Sequence, residues 1–366
     1  MNEITTIGID LAKHVFQLHG VDGAGKVVVC RRLRRSQVAT FFATLPPCLV
    51  GMEACGTAHF WAREIAASGH DVRLMPPGYV KPYVKRNKHD AADAEAVCEA
   101  VRRPSMRFVP VKTPEQQAAL VAHSVRDLLV RQRTMLVNAL RGHLAEFGIV
   151  AQRGIHKVEE LTAVIGDETD GRIPASARSA LRVLAAALAA LELRIAVVES
   201  EIVARTKADP TARRLATIPG IGPIIASRIT ATVPDPSIFR SGRDFAAWIG
   251  LVPRQNSTGG KTRLGGISKR GNGSLRRLLV GGAMAAMFRS KALQHDPWLC
   301  RLRARKPAMV AAVALANKTA RTVWAVMRRD QDWRPAAASS SRLHEPAAVL
   351  AAVKTMPPSA VAFGQS

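Results

Sequence analysis

Ile4-Thr5-Thr6-Ile7-Gly8-Ile9-Asp10, Leu11-Ala12-Lys13-His14 and Val15-Phe16-Gln17-Leu18-His19-Gly20 form the stretch whose reading decides the fold. The apolar run Ile7-Gly8-Ile9 reads as a buried strand closed by a carboxylate, and Val15 to Gly20 reads as a second strand. Gly20-Val21-Asp22-Gly23-Ala24-Gly25 supplies a turn, so that Lys26 to Arg32 returns as a third strand. Outward from there, a helix is expected from about Ser36 to Leu45, then a strand over Leu49-Val50-Gly51-Met52 that ends at Glu53. A helix from about Ala58 to Ser68 and a strand from Asp71 to Leu74 lead to the alanine-rich helix Asp90-Ala91-Ala92-Asp93-Ala94-Glu95-Ala96.

Three hairpin-linked strands followed by alternating helices and strands is the order of an RNase H-like α/β domain with a mixed sheet, here residues 1–110. In that order Asp10 lies on the central first strand, next to the strand carrying Glu53. Asp90 and Asp93, three residues apart, share one helix face. Like charges held together repel, and a shared cation removes that cost. Oxygen-only ligands suit Mg²⁺ or Mn²⁺, which take one or two carboxylates each and leave positions for a substrate phosphate. Asp10, Glu53, Asp90 and Asp93 are therefore the candidate metal ligands and catalytic acids. Glu95 and Glu99, on the same helix, read as solvated, with Glu95 an auxiliary ligand at most. His14, His19, His59, His70 and His123 are scattered, and His89 reads as an exposed helix-start residue beside Asp90.

A chain of 366 residues is long enough for two or three domains with real cores. Lysine and arginine number 53 against 28 acids, a formal net charge of +25, which is the electrostatic footprint of a nucleic-acid binder. No apolar run approaches the ~20 residues that a bilayer requires, and Met1-Asn2-Glu3-Ile4 leads into a strand without a secretory pattern. Cys30, Cys48, Cys55, Cys98 and Cys300 lack paired zinc spacing and read as reduced thiols, which points to a cytoplasmic, nucleoid-associated protein. Aromatic residues make up only 5% of the chain, which weighs against single-strand binding dominated by base stacking.

Thr113-Pro114-Glu115-Gln116 has the form of a capping box with proline at the first helical position. The long helix it starts carries Leu120, Val121, Leu128, Leu129, Met135, Leu136, Leu140, Leu144 and Phe147 at helical spacing, with Arg126, Arg131, Arg133 and Arg141 on other faces. A second helix, about Ser176 to Thr206, follows across a separator from Gly148 to Pro174. The pair reads as a central helical coiled-coil arm, residues 111–210, that either simply links domains or else pairs protomers or grips nucleic acid. Residues 211–330 read as a mostly helical C-terminal domain, and residues 331–366, with Ala336-Ala337-Ala338-Ser339-Ser340-Ser341, as a disordered tail.

Within the C-terminal region, Ile218-Pro219-Gly220-Ile221-Gly222 fits the turn of a helix-hairpin-helix, whose glycines Gly220 and Gly222 let backbone amides face a phosphate without reading bases. Further on, Arg254 to Arg277 holds seven arginines or lysines and no acid, at high glycine density. A basic glycine-rich loop approaches a phosphate backbone closely, and Arg254, Lys261, Arg263, Lys269, Arg270 and Arg276 are the candidate contacts. A hydroxyl among such donors is a candidate nucleophile on phosphorus, although Ser257 and Thr258 also suit ordinary loop capping.

Together these segments resemble the transposases of the insertion-sequence-110 family, the DEDD recombinases with a RuvC-like domain. The likeness spans Ile7 to about Arg329 and rests on Gly8-Ile9-Asp10-Leu11-Ala12-Lys13, Glu53-Ala54-Cys55-Gly56, Asn87-Lys88-His89-Asp90-Ala91-Ala92-Asp93-Ala94, the Ile218-to-Gly222 hairpin and the Ser257-to-Asn272 loop. The resemblance implies that Asp10, Glu53, Asp90 and Asp93 are the four metal-binding acids and that a catalytic serine falls in Asn256-Ser257-Thr258-Gly259. Some relatives carry serine immediately before the glycine, where this chain has Thr258; Ser257, one residue earlier, is nonetheless the first choice of nucleophile because threonine is poorer and bulkier, and Thr258 is the reserve. The resemblance further implies donor and target DNA as substrates, a structured bridge RNA whose loops pair with both, and a tetramer built as a dimer of dimers. Base pairing, rather than side chains, would then read most of the sequence.

Two rivals stay open at the level of sequence. A RuvC-like structure-specific nuclease would hydrolyse DNA with metal-held water and need no serine. A non-enzymatic nucleic-acid-binding protein would need neither serine nor acids.

Overall fold

The computed structural model describes residues 3–85, 89–152, 154 and 157–334. Asn87 and Lys88 lie outside the described residues, as do residues 335–366 of the tail expected over 331–366, while Trp333 is described and its N donates to Thr217 Oγ1 at 3.1 Å. Strands β1 (Thr6–Asp10), β2 (Val15–Val21), β3 (Val27–Arg34), β4 (Leu49–Glu53) and β5 (Asp71–Met75) form one sheet in the order β3-β2-β1-β4-β5. The first three are antiparallel neighbours, and β4 and β5 run parallel to β1. This mixed α/β arrangement is consistent with an RNase H-like domain. Each expected strand is present, and β3 continues to Arg34 because Leu33 still packs into the core.

Alternation along the strands divides the sheet into two faces. Ile7, Ile9, Val50 and Met52 face the core shared with Phe16, Leu18, α1 (Val38–Ala43) and α2 (Ala58–Ala67), where Phe16 meets Trp61 edge-on at 5.1 Å. Burying each of these large side chains contributes about 1.5–3 kcal/mol. That burial sets the register, since a slip of one residue would turn Asp10 into the apolar core.

Thr6, Gly8 and Asp10 face the other way, as do Gly51 and Glu53. After the short α3 (Pro77–Val80), helix α4 (Asp90–Val101) lies directly on this face. A Cβ on Gly8 would sit 2.2 Å from the Ala94 carbonyl oxygen and 2.3 Å from the Cys98 nitrogen, and one on Gly51 would meet Val101 Cβ at 2.8 Å. Glycine on the strands and alanine on the helix let the two backbones touch, which holds the start of α4 against the end of β1.

Helix α5 (Pro114–Ala145) starts from the capping box, in which Gln116 N donates to Thr113 Oγ1 and Thr113 N to Gln116 Oε1. It pairs with α7 (Ala175–Ala208), a helix of 34 residues and hence about 50 Å long. Arg126 bonds Glu199 and Arg133 bonds Glu192, so one helix rises in number as the other falls and the pair is antiparallel. The expected separator contains a further helix, α6 (Val158–Gly166), whose Val158, Leu161 and Ile165 cap the far end of the pair. Its apolar pattern spans barely two turns, too short to stand out from an interrupted segment.

The C-terminal part comprises α8 (Pro210–Leu215), α9 (Pro223–Thr232), α10 (Gly242–Ile249), the two-stranded hairpin β6 (Pro253–Gln255) and β7 (Leu264–Ile267), α11 (Gly273–Arg289), α12 (Lys291–Gln294), α13 (Pro297–Arg305) and α14 (Ala308–Arg329). Its core joins Leu215, Ile229, Phe245, Ile249, Leu279 and Leu315. Arg107, just after the sheet region, reaches Asp244 on α10 at 3.0 Å.

Candidate active site

β1 and β4 are parallel neighbours with Ile9 opposite Met52, so Asp10 and Glu53 leave the sheet side by side on the face that α4 covers. Helix α4 begins there. His89 caps it, its Nδ1 accepting from Ala91 N at 3.1 Å, and Asp90 and Asp93 occupy the first turn, where the helix dipole favours negative charge. One oxygen from each of Asp10, Asp90 and Asp93 lies within 4.8 Å of the others. Glu53 stands outside that group but within its field. Burial first, then the charges of Asp10 and Asp93, raise its pKa above the ordinary carboxylate value. Three converging carboxylates form an all-oxygen donor set that fits a divalent cation of the Mg²⁺ or Mn²⁺ kind. Glu95 is engaged elsewhere: it pairs with Lys85 at 2.6 Å, and that bond lowers its pKa.

The basic segment expected as a loop is a β-hairpin. Lys261 N donates to Thr258 O at 3.0 Å, and Gly259 and Gly260 at the tip have φ of 53° and 74°. Two successive residues with positive φ are the requirement of a type I′ turn. Ser257 and Thr258 are exposed beside it, and the Gln255 amide donates to Ser257 Oγ at 3.0 Å. The hairpin's base is fixed by backbone contact, since a Cβ on Gly250 would lie 2.1 Å from Arg270 O and one on Gly271 would lie 1.9 Å from Trp248 O. Arg276 Nη1 donates to Ile249 O and Arg270 O, at 2.8 Å and 3.0 Å, and so braces the same crossing. Arg254, Lys261, Arg263, Lys269 and Arg270 are exposed along the hairpin.

The two glycines of the α8–α9 turn differ. Gly220, at φ 88°, packs against α11, where an added Cβ would lie 2.7 Å from Gly282 O. Gly222 caps α9 and faces open space.

Sequence reasoning passed over a junction between α5, α9 and α11. Asp127 accepts from Ser274 Oγ at 2.7 Å and lies 4.0 Å from Arg228 and 3.9 Å from Arg277. His123, one turn earlier, is buried against Ser227 Oγ at 3.1 Å. His123 and Asp127 are four residues apart on a long helix of mixed composition, and their partners Ser227, Arg228, Ser274 and Arg277 come from two other helices, so local pattern gives no signal for the cluster.

Comparison with known proteins matches residues 7–149 to the DEDD transposase model of the IS110 family, described as "Transposase". Residues 212–298 match the model described as "Transposase IS116/IS110/IS902 family". The chain is similar to a "Probable family 20 transposase" of Pseudomonas aeruginosa, 52% identical over 335 residues that cover 91% of this chain and 99% of the relative. It is similar to the "Transposase for insertion sequence element IS1328" of Yersinia enterocolitica, at 44% identity over 89% of this chain and 97% of the relative. The "Transposase for insertion sequence element IS1111A" of Coxiella burnetii is 42% identical, with 91% and 92% of the two chains covered. Both ends of the geometry described above, the converging acids and the basic hairpin, fall inside the matched regions, and the chain belongs to the IS110 family of insertion-sequence transposases.

Proposed function

We propose that this transposase is an RNA-guided recombinase that joins its insertion sequence to target DNA through a serine nucleophile on the hairpin and a metal site at the acids. The observation that carries the proposal is the division of chemistry between two places. Asp10, Asp90 and Asp93 converge within 4.8 Å, while the exposed hydroxyls Ser257 and Thr258 stand on a separate hairpin among cations. Asp10, Asp90 and Asp93 would hold Mg²⁺ or Mn²⁺, with Glu53 adjoining. The metal, when bound, would neutralise charge on a phosphate oxygen.

In this reading Ser257 Oγ forms a bond to phosphorus as one backbone P–O bond breaks, leaving the strand joined to the protein and a free hydroxyl on the departing sugar. Gln255 orients that Oγ, and Thr258 is the reserve nucleophile. Arg254, Lys261, Arg263, Lys269 and Arg270 hold neighbouring phosphates, while Gly222 offers the amide end of α9. Arg276 keeps the hairpin at its angle. A bridge-type RNA supplies sequence recognition by pairing with donor and target.

Assembly as a tetramer, a dimer of dimers, has support in the helical pair. α5 leaves Val121, Leu128 and Met135 exposed at 60%, 46% and 70%, and α7 leaves Val183, Leu193 and Val197 exposed at 67%, 72% and 58%. Spacings of seven on α5 and of ten and four on α7 place these in second apolar seams beside the buried ones, the kind of face that another helix covers. The test of the function is recombination of donor and target duplexes by the purified protein with its co-purifying RNA and Mg²⁺. Loss of both strand cleavage and the protein–DNA adduct in Ser257→Ala supports it. Cleavage that persists without the serine would make the chain a metal-dependent nuclease.

A further inference from the structure

The register of the sheet extends the acid site sideways. Asp10 lies opposite Gln17, and Gln17 lies opposite Arg32, so side chains from the three share one face. Arg34, opposite Val15, belongs to the same face two residues on. A hydrogen-bond donor contact from Gln17 Nε2 to Cys30 Sγ at 3.7 Å, between residues of that face, agrees with the assignment. β3 is an edge strand of the sheet among the described residues. Arg32 and Arg34 are exposed on it, and the ion pairs among the described residues include neither. Arg31, also exposed, faces the opposite way with Leu33.

We infer that Arg32 and Arg34 form a phosphate-binding ledge for the DNA strand whose scissile phosphate lies at Asp10, Asp90 and Asp93. The inference rests on the proposed action of the acids on DNA and adds the track along which that strand lies. Two inter-strand steps put Arg32 about 10 Å from Asp10 at the level of the backbone. That is the rise of about three nucleotides along one DNA strand, so the ledge holds phosphates flanking the reacting one rather than the reacting one itself. Guanidinium groups suit this role because they meet phosphate oxygens with forked donors. Positive charge on an edge strand has another use, which is to stop the edge pairing with a second sheet. That use makes no distinction between faces: Arg31 would serve it as well as Arg32.

The test is a salt titration of binding by the full-length protein carrying its co-purified RNA. The probe is a DNA duplex spanning the junction of the element's end and its flank, with EDTA present so that no cleavage occurs. Removing two phosphate contacts makes the plot of log affinity against log salt shallower by about 2. Arg32→Gln/Arg34→Gln is therefore expected to lose on the order of 10- to 100-fold in affinity at 0.1 M salt, while Arg31→Gln binds as wild type. Equal losses in both variants, or none in either, would overturn the ledge. A loss confined to an RNA probe, with DNA binding intact, would overturn it too. Asp10→Asn in parallel, assayed with Mg²⁺, separates this inference from the reading beneath it. If Asp10→Asn still cleaves, the acid site is wrong. If it fails to cleave while Arg32→Gln/Arg34→Gln binds normally, only the ledge is wrong.

Discussion

Gly8→Ala probes the contact that brings the acids together. The new Cβ would lie 2.2 Å from the Ala94 carbonyl oxygen and 2.3 Å from the Cys98 nitrogen, both backbone atoms of α4. Neither atom can rotate away, so the helix must lift by about 1 Å to reach ordinary contact. The lift is applied one residue beyond Asp93 and two residues before Asp10 in β1, so it widens the three-carboxylate group directly. A misplacement of that size costs on the order of 100-fold in a chemical step, and overpacking costs about 1–3 kcal/mol in stability. Gly51→Ala is the matched control. It meets the Val101 side chain at 2.8 Å, at the other end of α4 from Asp90, and should cost similar stability while leaving Mn²⁺ affinity within about threefold. Mn²⁺ titration by calorimetry, alongside thermal unfolding, measures both. Wild-type Mn²⁺ affinity in Gly8→Ala would refute the idea that backbone contact between β1 and α4 sets the spacing of the acids.

Three further outcomes follow from the same geometry. Asp93→Asn relieves repulsion among carboxylates whose oxygens lie within 4.8 Å, so in EDTA it should raise stability by about 1 kcal/mol and should abolish the extra stability that Mn²⁺ gives the wild type, both read by thermal unfolding. His123 is 2% exposed, and burial first, then Arg228, lower its pKa to about 4. Being neutral in the folded protein, it contributes stability that is fully present above pH 6.5 and is lost as pH falls toward 4, by about 3 kcal/mol in all. Denaturant unfolding of His123→Gln against pH should show that slope flattened. Gly259, with φ of 53°, accepts asparagine but not a β-branched residue, so Gly259→Asn should keep strand exchange within about threefold and Gly259→Val should lose on the order of 10-fold or more, measured with a donor–target reporter.

Most of the sheet was legible because its apolar runs are short, alternate with helices, and end in turn residues or carboxylates. The acids were legible for the same reason, since Asp10 and Glu53 close strands and Asp90 opens a helix. Their grouping was less so: proximity of Asp93 to Asp10 depends on Gly8 and Ala94 touching across 86 residues of chain, which local pattern does not encode. The hairpin at Ser257 is hard to see in the sequence because β6 and β7 are only three and four residues long and lack an alternating apolar pattern. The charge of Arg276 is visible in the sequence, but the Ile249 and Arg270 carbonyls that it braces are not. Helix α6, nine residues long, carries too few apolar positions to define a period.

In the proposed function the hydroxyl on the hairpin and the acids on the sheet act together on one phosphodiester. The most direct measurement is the protein–DNA adduct itself, trapped with Mg²⁺ on a labelled duplex and mapped by peptide mass spectrometry. An adduct is expected on Ser257 in the wild type, retained in Thr258→Ala, and absent from both Ser257→Ala and Asp10→Asn. DNA cleaved without any adduct, or an adduct formed as readily in Asp10→Asn as in the wild type, would contradict it.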